Sequence, residues 1–174
     1  MNRILIVFII ALAVSTRLVA HPYNFTPVLA FSLLAGVYSK NKFSVLVPIS
    51  IWLISDYFLD SYSYISYISI LVVYLIGYYF INNYKMKNII IGSIVGSFMF
   101  FLISNFLVWC GDLGSYIPGN PNSYEDSFIG ILNCYIRGLP FFRNSLLSTI
   151  IFSSAIHTAY LLLNEKFAIF QSNK

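Results

Sequence analysis

The charged residues of this 174-residue chain stand almost entirely between apolar runs, and their sign alternates from one break to the next. Arg3, Lys40, Lys42, Lys85, Lys87 and Lys166 mark one set of breaks, and Asp60, Asp112, Glu125 and Asp126 mark the other. A helix crosses about 30 Å of hydrocarbon with about 20 apolar residues, or fewer when it stops at the interface. The runs that meet this need are 3–20, 25–39, 43–60, 64–82, 88–109 and 144–164, with 110–143 left as one long connection. The second run is short and contains Pro27 and Gly36, so a tilt, a break or partial insertion is expected there.

Lysine and arginine accumulate in cytoplasmic loops. An amino terminus inside puts all the lysine loops and Lys174 on the cytoplasmic side, and every acid except Glu165 at or near the outer face. The expected fold is an all-α integral membrane protein, one domain over 1–174. It is a six-transmembrane-helix bundle with both termini cytoplasmic and an external loop over 110–143. Residues 1–20 also have the outline of a signal peptide, with Arg3 first, an apolar centre and Ala20 before His21. Leu18 and Arg17 lie too close to the cut for efficient processing, so the first helix is read as retained.

Composition narrows the function. The chain is 59% hydrophobic and 9% charged, against about 45–50% and about 25% for soluble domains. The net charge of +4 resides largely in the lysine loops, which makes the bilayer the expected partner and excludes nucleic acid. No zinc-ligand spacing, phosphate-binding glycine loop or serine-hydrolase elbow occurs, so neither a catalytic set nor a metal or cofactor is expected. Cys110 and Cys134 lie in or beside the long connection, where a disulfide and two free thiols are both open.

Small residues four apart let helix backbones approach closely. Gly92 with Gly96, Ser93 with Ser97, and Ala11 with Ser15 have that spacing, and packing inside the bundle is preferred over a docking face for another protein. Many of the 14 tyrosines fall near run ends, as in an interfacial belt.

A few polar residues are not explained by topology. Arg17 lies near the outer end of the first run and His21 four residues beyond it. Asp56 sits about one turn inside the outer end of the third, with Trp52 a turn deeper, and Asn105 with Trp109 repeats that spacing in the fifth. Arg143 stands where the sixth run begins. A cation at a helix amino terminus opposes the helix dipole, so Arg143 calls for an anion, either Asp56 or a ligand. Ionisable groups in membrane spans face the interior and mark functional sites by default, although arginines near the interface can snorkel. His157, among Ser153, Ser154 and Thr158, reads first as a hydrogen-bonded structural histidine and second as a proton relay.

The segments from His21 to Pro27, Ser55 to Asp56, Asn105 to Trp109 and Leu139 to Asn144 resemble a group of small bacterial membrane proteins. That group is similar to the S components of energy-coupling factor (ECF) transporters. The resemblance covers nearly the whole chain and implies a six-helix protein of the bacterial cytoplasmic membrane. Such a protein binds a vitamin or metal near the outer face, under the loop between helices 1 and 2. The nearest characterised type is the solitary cobalamin-transporting S component, whose ligand-handling residues correspond to His21, Asp56, Tyr74 and Arg143. That type also uses a cysteine between the aspartate and the tyrosine. None lies between Asp56 and Tyr74 here, so cobalamin is only one candidate cargo and other small molecules fit as well.

The leading expectation is a substrate-binding membrane subunit or solitary carrier that takes up a small nutrient such as a vitamin or cofactor precursor. Its expected ligand residues are Arg17, His21, Asn24, Trp52, Asp56, Tyr74, Asn105, Trp109 and Arg143. The arginines would hold anionic groups and the aromatic residues would stack on a ring, with Pro22 and Pro27 stiffening a closing loop. Energy would come from a gradient or an energising transporter module. The alternatives are an assembly subunit of a membrane complex and an intramembrane enzyme using His21 with Asp56.

Overall fold

The computed structural model describes residues 3–20, 22–39, 41–112, 114, 117–120 and 122–172, with side chains from Ile10 to Leu163 apart from Lys42. Among them are six α-helices and no strand: α1 (Arg3–Leu18), α2 (Val28–Tyr38), α3 (Leu46–Leu59), α4 (Tyr64–Phe80), α5 (Met86–Asp112) and α6 (Phe128–Ser172). The helices alternate in direction. One end of the bundle, here the upper end, carries Leu18, Leu59, Tyr64, Asp112 and Phe128. The lower end carries Tyr38, Phe80 and Met86.

Local chemistry sets the boundaries. Asn41 caps a short 3-10 turn over Lys42–Val45, its side chain accepting from the Phe43 N–H at 3.0 Å. α3 ends at Asp60, which adopts the left-handed conformation (φ 46) while its N–H and that of Ser61 return to the Asp56 carbonyl. Asp tolerates that conformation better than most residues because its short polar side chain bonds locally.

Among the described residues two helices are long and apolar enough to cross a membrane, α5 and the Phe128–Leu163 part of α6. α2 has 11 residues, which is about 16 Å of helix, half of a hydrocarbon layer about 30 Å thick. The short second run of the sequence is therefore a half-length helix.

The largest departure from the sequence reading is the 110–143 connection. α5 continues to Asp112 and α6 begins at Phe128, so most of the expected external loop is helix and Pro140 lies inside it. Gly130, Cys134 and Gly138 are buried at four-residue spacing. A side chain at Gly138 would collide with Asn105, and Cys134 Sγ lies 3.3 Å from the Asn105 carbonyl. Cys134 and Gly138 let α6 lie against α5, while Gly130 packs on the Glu125 backbone of the preceding connection; that packing outweighs the backbone bond lost at Pro140. Cys110 and Cys134 are free thiols.

The same device joins α2 to α4. A Cβ on Gly36 would meet the backbone of Tyr74 and Tyr78, and one on Gly77 would meet the Leu33 carbonyl. Ser32 Oγ donates across this crossing to the Ile70 carbonyl at 2.7 Å. Gly92 and Gly96 also face inward, against Ile81, Val73 and Leu33, while Ser93 and Ser97 face α6. The core of Leu33, Val37, Ile70, Val73 and Ile89 fills the space between these contacts.

Candidate functional site

Arg17 occupies the last turn of α1, and α3 brings Trp52, Ser55 and Asp56 to face it. Those three positions share one side of a helix by their spacing. Arg17 Nη1 lies 2.9 Å from Asp56 Oδ1 and also donates to Ser55 Oγ. The guanidinium carbon sits 4.1 Å from the Trp52 ring centroid, a cation–π contact. From α4, Tyr67 Oη donates to Asp56 Oδ2 at 3.0 Å. The Asp56 side chain is 0% exposed and that of Arg17 12%. Removing such charges from water costs several kcal/mol per ion, recovered only when both are paired and hydrogen-bonded. Both carboxylate oxygens here have donors, so the group is a closed pin joining α1, α3 and α4.

A cavity of about 110 Å³ opens on the other side of the bundle, between the upper halves of α5 and α6. Phe100, Phe101, Phe141 and Phe142 form its walls, and Asn24, Ser104, Asn105 and Ser145 give it polar edges. Asn105 Nδ2 donates to the Phe101 carbonyl at 2.8 Å, which orients the amide beside Gly138. Asn24 belongs to the α1–α2 connection and has positive φ (61), a conformation asparagine tolerates.

That connection is fastened to α6. Asn144 Nδ2 donates to the Tyr23 carbonyl at 2.9 Å, and Ser148 Oγ to the Asn24 carbonyl at 3.4 Å. Tyr23 packs edge-on against Phe141, and Phe25 against Phe152, with centroids 6.0 and 5.9 Å apart. Residues 22–27 thus form a cap over one edge of the cavity.

The single cluster expected from sequence is therefore divided. Arg17, Trp52 and Asp56 meet at the pin, whereas Asn24 and Asn105 meet at the cavity. Tyr74 joins neither: its hydroxyl lies 3.0 Å from Ser44 Oγ, toward the lower end, and Tyr67 is the α4 tyrosine that reaches Asp56. Trp109 donates from Nε1 to the Glu125 carbonyl at 3.0 Å and so ties α5 to the connection before α6. Arg143 is exposed in the interior of α6, far from that helix's amino terminus, so the dipole argument for an anion partner falls away. Its expected partner Asp56 is engaged by Arg17 and Tyr67. His21 lies outside the described residues.

Tyr67, Ser104 and Ser145 escaped the sequence reading. Tyr67 is one tyrosine of many near a helix end, and single serines in apolar helices give no signal of their own. The acids of the connection serve its folding: Asp112 accepts from the Tyr124 N–H at 3.2 Å and Asp126 from the Gly114 N–H at 2.8 Å. A second cleft of about 220 Å³ lies there, with the Tyr124 ring centroid 5.7 Å from the Arg137 guanidinium. Burial, then the nearby Cys134, raises the Tyr124 phenol above its ordinary value.

The family of unknown function DUF6580 matches residues 1–171, and the chain belongs to it. No curated protein and no solved structure matches the chain.

Proposed function

We propose that this protein is a membrane-embedded binding subunit or solitary carrier that takes up a small nutrient, such as a vitamin or cofactor precursor, through the α5–α6 cavity. The observation that carries the reading is the capped cavity itself: aromatic walls, neutral polar edges and a loop fastened over it. Pockets of this composition suit small organic ligands. In this reading the apolar runs are six spans, the lysine loops put both termini inside and make the upper end the outer one, and the resemblance to bacterial membrane proteins implies a bacterial cytoplasmic membrane. Within the fold, 39% of the apolar stretch of α5 and 22% of that of α6 are buried. The remaining apolar surface supports a lipid environment.

Size and charge restrict the ligand. At about 110 Å³ the cavity falls below the roughly 300–1,000 Å³ of sites for drug-sized molecules. A vitamin would need more room than this, which movement of the cap over residues 22–27 would provide. With Arg17 committed to Asp56 and neutral groups lining the cavity, an uncharged or weakly charged ring compound fits better than an anion. Cobalamin is far too large for a cavity of this volume.

The test is saturable binding by the purified full chain, read as thermal stabilisation against a panel of vitamins and cofactor precursors. A ligand at 100 times its Kd adds about 2.7 kcal/mol to stability. No stabilisation by any member of the panel, with no uptake into liposomes, overturns the proposal.

A further inference from the structure

His157 is fully buried (0% exposed) on α6 near the lower end, and the cavity does not use it. Its Nδ1 shares a hydrogen bond with Tyr38 Oη from α2, and the two rings stack with centroids 6.1 Å apart. Tyr84, from the α4–α5 turn, and Tyr160, on α6, pack on the Tyr38 ring at 5.6 and 4.2 Å. Among the described residues, Tyr38 is the titratable group that touches the imidazole, with the phenols of Tyr84 and Tyr160 packed on Tyr38 in turn. His157 Nε2 has no hydrogen-bond partner among the described residues, and neither has the buried Ser154 Oγ. Buried polar atoms are paired in most proteins, so an open imidazole nitrogen is a position where something binds.

A line of polar side chains leads there from the cavity. Ser145, Thr149, Ser153 and His157 follow one another at four-residue spacing on α6, all buried. Ser153 Oγ lies 2.6 Å from Ser93 Oγ, and Ser97 Oγ reaches the Ser145 carbonyl at 3.5 Å. Ser145 lines the cavity, and Ser148 holds the cap. The short helix α2 is thus attached to α6 twice, by the cap above and by Tyr38 with His157 below.

We propose that His157 is a proton-binding site that controls the lower attachment of α2 and couples it to the capped cavity. The coupling to a cargo rests on the carrier reading; the proton site does not. With Nδ1–H donated to Tyr38 Oη, the open Nε2 lone pair accepts a proton from a hydronium ion when water reaches the site, leaving a water molecule, and the ring becomes imidazolium. Release reverses the step, and no other bond forms or breaks. A charge-assisted hydrogen bond is stronger than a neutral one, so the protonated ring holds Tyr38, and with it α2, more firmly. Among the described residues no three His, Cys, Asp or Glu side chains gather, so the site has the donors for a proton rather than a metal ion.

The chain has two histidines, which makes the test direct. Full-length protein labelled with 15N-histidine is titrated in lipid nanodiscs, and His21→Gln identifies the His157 signals. The expected result is a change of the His157 ring 15N shifts from the neutral to the imidazolium pattern within the pH range over which the protein stays folded. Tyr38→Phe removes the acceptor of the imidazolium proton and lowers the midpoint by about one unit, tenfold in proton affinity. Exchange of the amides in the last turn of α2 should slow on protonation in the parent and not in Tyr38→Phe. A ring that stays in one protonation state throughout overturns the proposal, as does a midpoint that ignores Tyr38→Phe. Nutrient binding by a protein with a silent His157 removes the proton site and keeps the carrier. A titrating His157 without any bound nutrient keeps the proton site and removes the cargo.

Discussion

The pin at Arg17 and the cavity beside Asn105 are built from opposite materials. At the pin an arginine, a carboxylate, a phenol and an indole close on one another, and both Asp56 oxygens have donors. At the cavity amides and hydroxyls border about 110 Å³ of space between phenyl rings. The difference follows from the dielectric. An unpaired charge inside a low-dielectric bundle is so unfavourable that the residues around it are recruited to neutralise it. Neutral polar groups carry a smaller penalty and can face a space that a ligand later fills. In such a fold, the charges conspicuous in the sequence hold helices together, and inconspicuous residues border the open space.

On the carrier proposal, the pin governs stability and the cavity governs affinity. The largest expected effect is at Arg17. Arg17→Met keeps the apolar stem and deletes the charge, leaving Asp56 buried and unpaired, and should lower stability by about 3–5 kcal/mol. Denaturant unfolding in detergent measures it, and Arg17→Met combined with Asp56→Leu should recover most of the loss. Next is Tyr67→Phe, which removes a hydrogen bond to a buried carboxylate, a loss of about 1.5–3 kcal/mol in the same assay. In both variants the folded fraction should bind any panel ligand with the parent's affinity. A weakened affinity at unchanged stability would merge the two regions into one site.

Ser104→Leu probes the other side. The added carbon atoms occupy the cavity, so ligand binding should weaken at least tenfold, about 1.4 kcal/mol. Stability should change by less than the Tyr67→Phe loss, because the new side chain enters existing space. Destabilisation comparable to Arg17→Met, with affinity intact, would reduce the cavity to a packing gap.

Much of this arrangement was readable from the chain, and the failures have physical causes. The apolar runs gave five helices nearly as expected, because hydrophobic length and loop charge act locally. The sixth was misjudged because 110–143 reads as one long connection, whereas Cys134 and Gly138 pack against Asn105 of α5 and α6 extends back to Phe128. The four-residue repeat was present in the sequence; only the partner helix gives it meaning. Arg17, Trp52 and Asp56 were correctly grouped, since each lies near the same end of its helix. What could not be read was that they satisfy one another, which depends on how α1 crosses α3. Tyr74 and Tyr67 lie on the same helix, and only the depth of α4 against α3 decides which one reaches Asp56.

The smallest expected effect is also the sharpest test of the division. Trp52 was expected to stack on a ligand ring, and in the fold its ring stacks on the Arg17 guanidinium instead. Trp52→Phe retains an aromatic face and leaves the backbone carbonyl that Arg17 also approaches at 3.5 Å. What changes is the strength of the ring's attraction for the cation, and cation–π contacts at partly exposed sites contribute about 0.5–1 kcal/mol. Since phenylalanine keeps part of this, the stability loss should be a fraction of that amount, with affinity for a panel ligand unmoved. If the ligand instead weakens tenfold while stability holds, Trp52 touches the ligand. The pin would then have to open during binding, which would make the Arg17–Asp56 pair a gate to the same site.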